Sequence, residues 1–217
     1  TYVGSSAGEN IDGEYNVLFG ADCGTGYGIT GSYNVYIGYK AGEYTEGSNN
    51  VLIGYSAGGP VAGSNNVMIG DHAGGGALGS AGSDNVFIGN MAGVTEVGSD
   101  RLYIANSGTA NPLIYGEFDN SLIKIHGTLE MAEAVGPSDE RMKKNVEPLK
   151  SSLDKVSELN GVSFDWKTED YGERGLSENR QIGLVAQEVE KVLPELVRTG
   201  SDGLKSVAYT KLTAVLV

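Results

Sequence analysis

The stretch NVLIGYSAG at residues 50–58 decides the fold, because the chain repeats it. Copies read NVLFGADCG at 16–24, NVYIGYKAG at 34–42, NVMIGDHAG at 66–74 and NVFIGNMAG at 85–93. A shortened copy, YVGSSAG, opens the chain at 2–8, and a decayed one, RLYIANSG, closes the array at 101–108. The aligned glycines at 4, 20, 38, 54, 70 and 89 stand 16 to 19 residues apart. That period is too short for a helical-hairpin repeat and fits one coil of a parallel β-solenoid or β-roll.

Inside each unit Val and Ile alternate with a variable residue, the period of a strand with one face inward. The constant positions are expected to face inward: Val17, Val35, Val51, Ile53, Val67, Ile69, Val86 and Ile88. Aromatic residues at the variable position (Tyr36, Phe87, Tyr103) are then either an exposed recognition face or filler between protomers. Gly and Ala-Gly supply tight corners. The Asn before each strand is a turn residue or part of a side-chain ladder, and the spacing does not separate the two. Insertions such as GGPVAGSN at 58–65 and GGGALGSAGSD at 74–84 belong on loops at one edge. A coil this thin has little private core, so stability is expected from stacked coils and from three chains packed about an axis.

Composition divides the chain. Of 34 glycines, 28 precede Ser138, and residues 1–137 carry 14 acidic against three basic side chains. A half with net charge −11 is repelled by nucleic acid and anionic lipid, so neither is an expected partner. Residues 138–217 are nearly balanced, with 14 acidic and 12 basic side chains. Cys23 is the only cysteine and replaces an alanine of the repeat, which makes it a small buried apolar residue and rules out an intrachain disulfide. No apolar run reaches the roughly 18 residues needed to cross a bilayer, and no secretory leader is legible. His72 and His126 have no partner at metal-ligand spacing, and the aspartates do not follow the nonapeptide calcium pattern; no metal or cofactor is expected.

Beyond the shaft at 1–109, residues 110–136 read as a neck of two or three short strands, with Ile123 and Ile125 on one face, followed by the small-residue run MAEAVGPSD. The period then changes. SSLDKVSELNG reads as a helix from Ser151 with Asp154 as a capping pair, GVSFDWK as a strand, QIGLVA as a buried strand and QEVEKVL as a helix ended near Pro194. LVRTGSDGLKSVAYT reads as a hairpin turning on residues 201–203, and LTAVLV as the start of a final helix. This is a small α+β module.

Three blocks in order, PSDERMKKNVEPL at 137–149, GLVAQEVEKVLPELV at 183–197 and SVAYTKLTAVLV at 206–217, resemble a known family. It is the self-cleaving intramolecular-chaperone domain at the C-terminus of phage tail fibres and endosialidases, also found in some eukaryotic membrane-bound transcription factors. The resemblance covers roughly residues 137–217. More loosely, the repeat array resembles the left-handed β-roll heads of trimeric bacterial adhesins and phage fibre shafts. The resemblance implies a domain that brings three chains together and then cuts itself off. Ser138, Asp139 and Lys143 occupy the places of the family's S-D-x-x-x-K segment, with Ser138 as nucleophile, Lys143 as general base, and Pro137 and Asp139 beside the cut.

The chemistry sets conditions. A serine hydroxyl needs a base, and a lysine serves only if desolvation or nearby cations lower its pKa; Arg141 and Lys144 are the candidates in sequence. Residues five apart diverge by about 140° on a helix and face opposite sides of a strand. Ser138 and Lys143 therefore meet only if the segment bends or if a neighbouring chain supplies the lysine. The plainer reading is that Ser138 N-caps a helix, with Asp139 favouring its dipole.

The expected function is a homotrimeric phage or prophage tail fibre or tail spike that partners itself and touches a host cell-surface glycan or receptor through the shaft. A trimeric bacterial surface adhesin with a non-cleaving trimerisation domain is the alternative. A glycan depolymerase ranks last, since no acidic pair is placed for it.

Overall fold

A computed structural model describes residues 1–26, 30–60, 63–75, 82–171, 174, 176–200 and 202–217. The chain divides into two compact units, Thr1–Leu129 and Glu130–Val217. The parts of the two inserts at 61–62 and 76–81, and Ser201 of the expected 201–203 turn, lie outside the described residues.

The first unit is a β-solenoid of about six turns. Its strands β1 (Tyr2–Val3), β2 (Val17–Phe19), β3 (Val35–Ile37), β4 (Val51–Ile53), β5 (Val67–Ile69), β6 (Val86–Ile88) and β7 (Arg101–Ile104) stack in parallel and in chain order. The sheet then reverses. β8 (Ile114–Glu117) and β9 (Leu122–Ile125) add antiparallel to β7, so the expected neck continues the same nine-stranded sheet.

The strand faces are the reverse of the sequence expectation. The middle, variable residue of each strand points inward: Leu18, Tyr36, Leu52, Met68 and Phe87 are at most 1% exposed, and Tyr103 follows. The constant Val and Ile positions point outward, and none of the eight named above is buried. Alternation reveals that a strand has two faces; here both are apolar, so it could not tell which one closes the coil. Tyr36, Phe87 and Tyr103 are therefore neither a recognition face nor filler between protomers. They lie inside their own chain, with Phe87 edge-on to Tyr103 and Tyr103 edge-on to Tyr115.

The corners explain the invariant letters. A Cβ on Gly54 would lie 2.4 Å from the Gly70 carbonyl oxygen, at a φ of +134°, so coils could not stack at their observed spacing with any other residue there. On Gly58, a Cβ would meet Cδ1 of Leu52 at 2.5 Å. Ala41, Ala57, Ala73 and Ala92 fill the opposite wall of the core, and Cys23 takes the same place in its rung. Burial pushes the Cys23 thiol up to about 11.

The asparagines form a buried ladder. Asn16 Oδ1 accepts from the Asn34 backbone N–H, Asn34 Oδ1 from Asn50, Asn50 Oδ1 from Asn66 and Asn66 Oδ1 from Asn85, each at 2.8–3.0 Å. Their Nδ2 groups donate to glycine carbonyls at the same corner, as Asn50 does to Gly63. The Asn66 Nδ2 finds no hydrogen-bond partner among the described residues. A parallel serine ladder runs outside it, from Ser32 through Ser48, Ser64 and Ser83 to Ser99. Each rung thus ties two corner donors to the next coil, satisfying backbone groups that a tight turn would otherwise orphan.

The second unit is a small α+β module. Helix α1 (Ser152–Ser157) precedes β10 (Gly161–Phe164), a one-turn α2 (Thr168–Tyr171) and β11 (Gln181–Leu184), which pairs antiparallel with β10. Helix α3 (Ala186–Val192) ends before Pro194, β12 (Val197–Thr199) and β13 (Lys205–Val207) form the expected hairpin, and α4 (Tyr209–Leu212) is one turn. Val189, Leu193, Leu196 and Val215 make its core. Three expectations fail here, the first being that LTAVLV begins the final helix: α4 ends at Leu212, and residues 213–217 do not continue it. Ser151 adopts φ +54° and its side chain caps nothing, so the Ser151–Asp154 capping pair does not form. β11 is not buried: Ile182 is 88% exposed.

Candidate functional site

The candidate site lies in the run 127–151, all of whose residues are exposed. Pro137 cannot donate a backbone hydrogen bond and disfavours helix at Gly136 before it. Asp139, itself extended at φ −62° and ψ 135°, then caps a single 3-10 turn, Glu140–Met142. Its Oδ1 accepts from the Arg141 backbone N–H at 2.9 Å, while the Met142 and Lys143 N–H groups bond back to the Asp139 and Glu140 carbonyls. The cap is therefore Asp139, not Ser138 as the plainer sequence reading had it. Ser138 is left free of that duty.

The turn reverses the divergence that either regular structure would impose. Lys143 leaves it in an extended conformation, and its Nζ donates to Ser138 Oγ at 2.9 Å within one chain. Of the two ways the pair could meet, the bend is the one observed.

Arg141 has a different place from the one expected. Its Nε reaches Asp139 Oδ1 at 3.0 Å and a terminal nitrogen reaches Oδ2 at 2.7 Å, a two-pronged clamp across the turn. The Arg141 guanidinium holds the Asp139 carboxyl below its usual range. Its charge is thereby matched by the Asp139 carboxylate across the turn. This clamp is a feature the sequence reading missed. The signal was present: Asp and Arg two residues apart immediately after the serine.

The other sequence candidates are structural. His126 Nδ1 meets the Pro112 carbonyl at 2.6 Å, and His72 contacts the Asp71 carboxylate and packs on Tyr55. No group of three or more His, Cys, Asp or Glu side chains suited to a metal occurs among the described residues. No described helix is long and apolar enough to cross a membrane. Several exposed tyrosines stand at the corners, Tyr15, Tyr33, Tyr39 and Tyr55 among them. Tyr15 and Tyr33 stack in parallel with centroids 4.9 Å apart, both at φ near +60°. The same corner in later rungs carries Asn49, Asn65, Asp84 and Asp100, residue types that tolerate this conformation.

Residues 138–198 match the family model described as chaperone of endosialidase. The chain is also similar to the long tail fiber protein Gp37 of three phages. It is 37% identical to that of Enterobacteria phage T2 over 93 residues, 46% to that of phage K3 over 65, and 34% to that of Salmonella phage S16 over 87. Those stretches cover 43%, 30% and 36% of this chain but 7%, 5% and 11% of the relatives, so the chain spans a small part of their length. The likeness is consistent with a virion-tail location. The domain match begins at the serine that the turn presents to Lys143.

Proposed function

We propose that this chain is part of a homotrimeric tail fibre or spike in which the solenoid at 1–109 is shaft, 110–136 is neck and 137–217 is an intramolecular chaperone removed by its own Ser138 and Lys143. The observation that carries the proposal is the 2.9 Å contact from Lys143 Nζ to Ser138 Oγ at the start of the chaperone-family match. In the reaction, Lys143 takes the hydroxyl proton as Oγ attacks the adjacent peptide carbonyl. The C–N bond breaks, the proton passes to the leaving amine, and water hydrolyses the ester. Both side chains are exposed here, and a lysine serves as a base only once it is desolvated, so the proposed reaction waits until another part of the trimer covers the run 127–151. Cutting after assembly removes the folding catalyst and leaves the shaft kinetically trapped.

That same exposure favours a second reading, in which the module trimerises and never cuts. Host-surface contact through the shaft belongs to the main proposal. Intact-mass measurement on purified trimer decides between the two readings. Fragments meeting beside Ser138, absent in Ser138→Ala, support cleavage; a wild-type trimer that stays one polypeptide for days leaves a trimerisation module only.

A further inference from the structure

The reversed strand faces leave a feature that neither the solenoid nor the Ser–Lys pair uses. Through the strand register, the outward positions form two unbroken files across the sheet. One runs from Val17 through Val51 and Leu102 to Ile123; the other runs from Val3 and Phe19 to Ile125. Apart from Gly116 every member is Val, Ile, Leu or Phe, sixteen in all, and none is buried. The sheet keeps this pattern through its change from parallel to antiparallel strands, so the face outlasts the repeat that first produced it.

We propose that this stripe is where copies of the chain meet, side by side, with their strands parallel and at the same height. A stable interface takes roughly 800 Å² from each partner, and monomers rarely expose an apolar patch above a few hundred Å²; sixteen side chains exposed by as much as 67% reach that scale. A second copy fits better than any unrelated partner. The files repeat at the strand spacing of about 4.8 Å for nine strands, and only a surface with the same period stays in contact along all of it. The borders of the stripe fix the direction. Its first rungs are flanked by Tyr15, Tyr33, Tyr39 and Tyr55, and its later rungs by Asp84 and Asp100. Parallel copies set tyrosine beside tyrosine at the border of the stripe and keep the aspartates of the later rungs away from those rings. Antiparallel copies would press the carboxylates onto the tyrosines, an unpaired desolvation. Three copies about one axis give each stripe equivalent partners and close the assembly without an open edge. The proposal rests on the fibre reading above and adds the surface, direction and register.

Single cysteines test it in the full chain, with Cys23 replaced by the alanine that other rungs carry. Ile37→Cys and Ile104→Cys are oxidised separately and as a mixed assembly, with light scattering on each unoxidised sample. The expected result is a trimer in which each variant crosslinks to itself and Ile37→Cys does not crosslink to Ile104→Cys. Crosslinks only between the two different variants would overturn the parallel register. A trimer with no crosslink at either position would overturn the surface while leaving the fibre reading standing. A monomer would overturn both.

Discussion

Lys143 Nζ sits 2.9 Å from Ser138 Oγ because Asp139, between them, folds the chain into one 3-10 turn held by Arg141. The contact is local, so each chain brings both side chains together within one exposed segment.

If the proposed reaction is right, Ser138→Ala and Lys143→Ala are expected to yield intact polypeptide with self-association unchanged, since little packing is lost. Arg141→Ala loosens the turn and slows the cut by ~10- to ~100-fold, the scale at which misplacement costs rate. Lys144→Ala only slows it. Fragment appearance after refolding, followed by mass spectrometry, checks all four.

The clamp has a pH dependence of known sign. Arg141 holds the Asp139 carboxyl below the usual range, so the turn keeps its full stabilisation above the ordinary carboxylate pKa of about 3.9 and loses it only as pH falls through the lower folded value. An NMR titration of Asp139 shows a depressed midpoint that returns to normal in Arg141→Ala.

Neighbouring strand residues respond in opposite ways. Leu52→Ala empties the core and costs about 2–5 kcal/mol, and Leu52→Asp unfolds the solenoid. Ile53→Asp points to the outside of its own coil, so it keeps the β signal in circular dichroism and loses self-association. If Ile53→Asp unfolds the monomer and Leu52→Asp does not, the assigned faces are wrong.

Asn50→Ala strands the Asn66 backbone N–H and the Gly63 carbonyl in the corner, at about 1–3 kcal/mol for each buried group left unpaired. Asn50→Asp keeps an acceptor but loses the Nδ2 donor, and is also destabilising. Urea unfolding of both variants against the wild-type chain measures the difference.

The Cys23 thiol, raised to about 11 by burial, stays almost wholly protonated at pH 8. Alkylation by iodoacetamide is expected to be negligible in the folded protein and rapid after unfolding. Rapid labelling of the folded chain would show that the first coils open.

The sequence by itself determined the solenoid: a period of 16 to 19 residues, glycines where a Cβ would strike the next coil, and strands one repeat apart that must pair in parallel. Its flanking blocks resemble the chaperone family whose model matches residues 138–198. Which strand face lies inward was decided only in three dimensions. Leu, Tyr, Met and Phe are long enough to span the coil to the alanine wall opposite, whereas Val and Ile are short, stiff and suited to a flat outer surface. Their constancy looked like core, while the variable residues proved to be the core, each rung repacking against its neighbours. The dyad was undecided for the same kind of reason. Spacing of five excludes contact on a helix or strand, and only the side chains of Asp139 and Arg141, acting across a turn too short to leave a periodic signal, bring the two ends together.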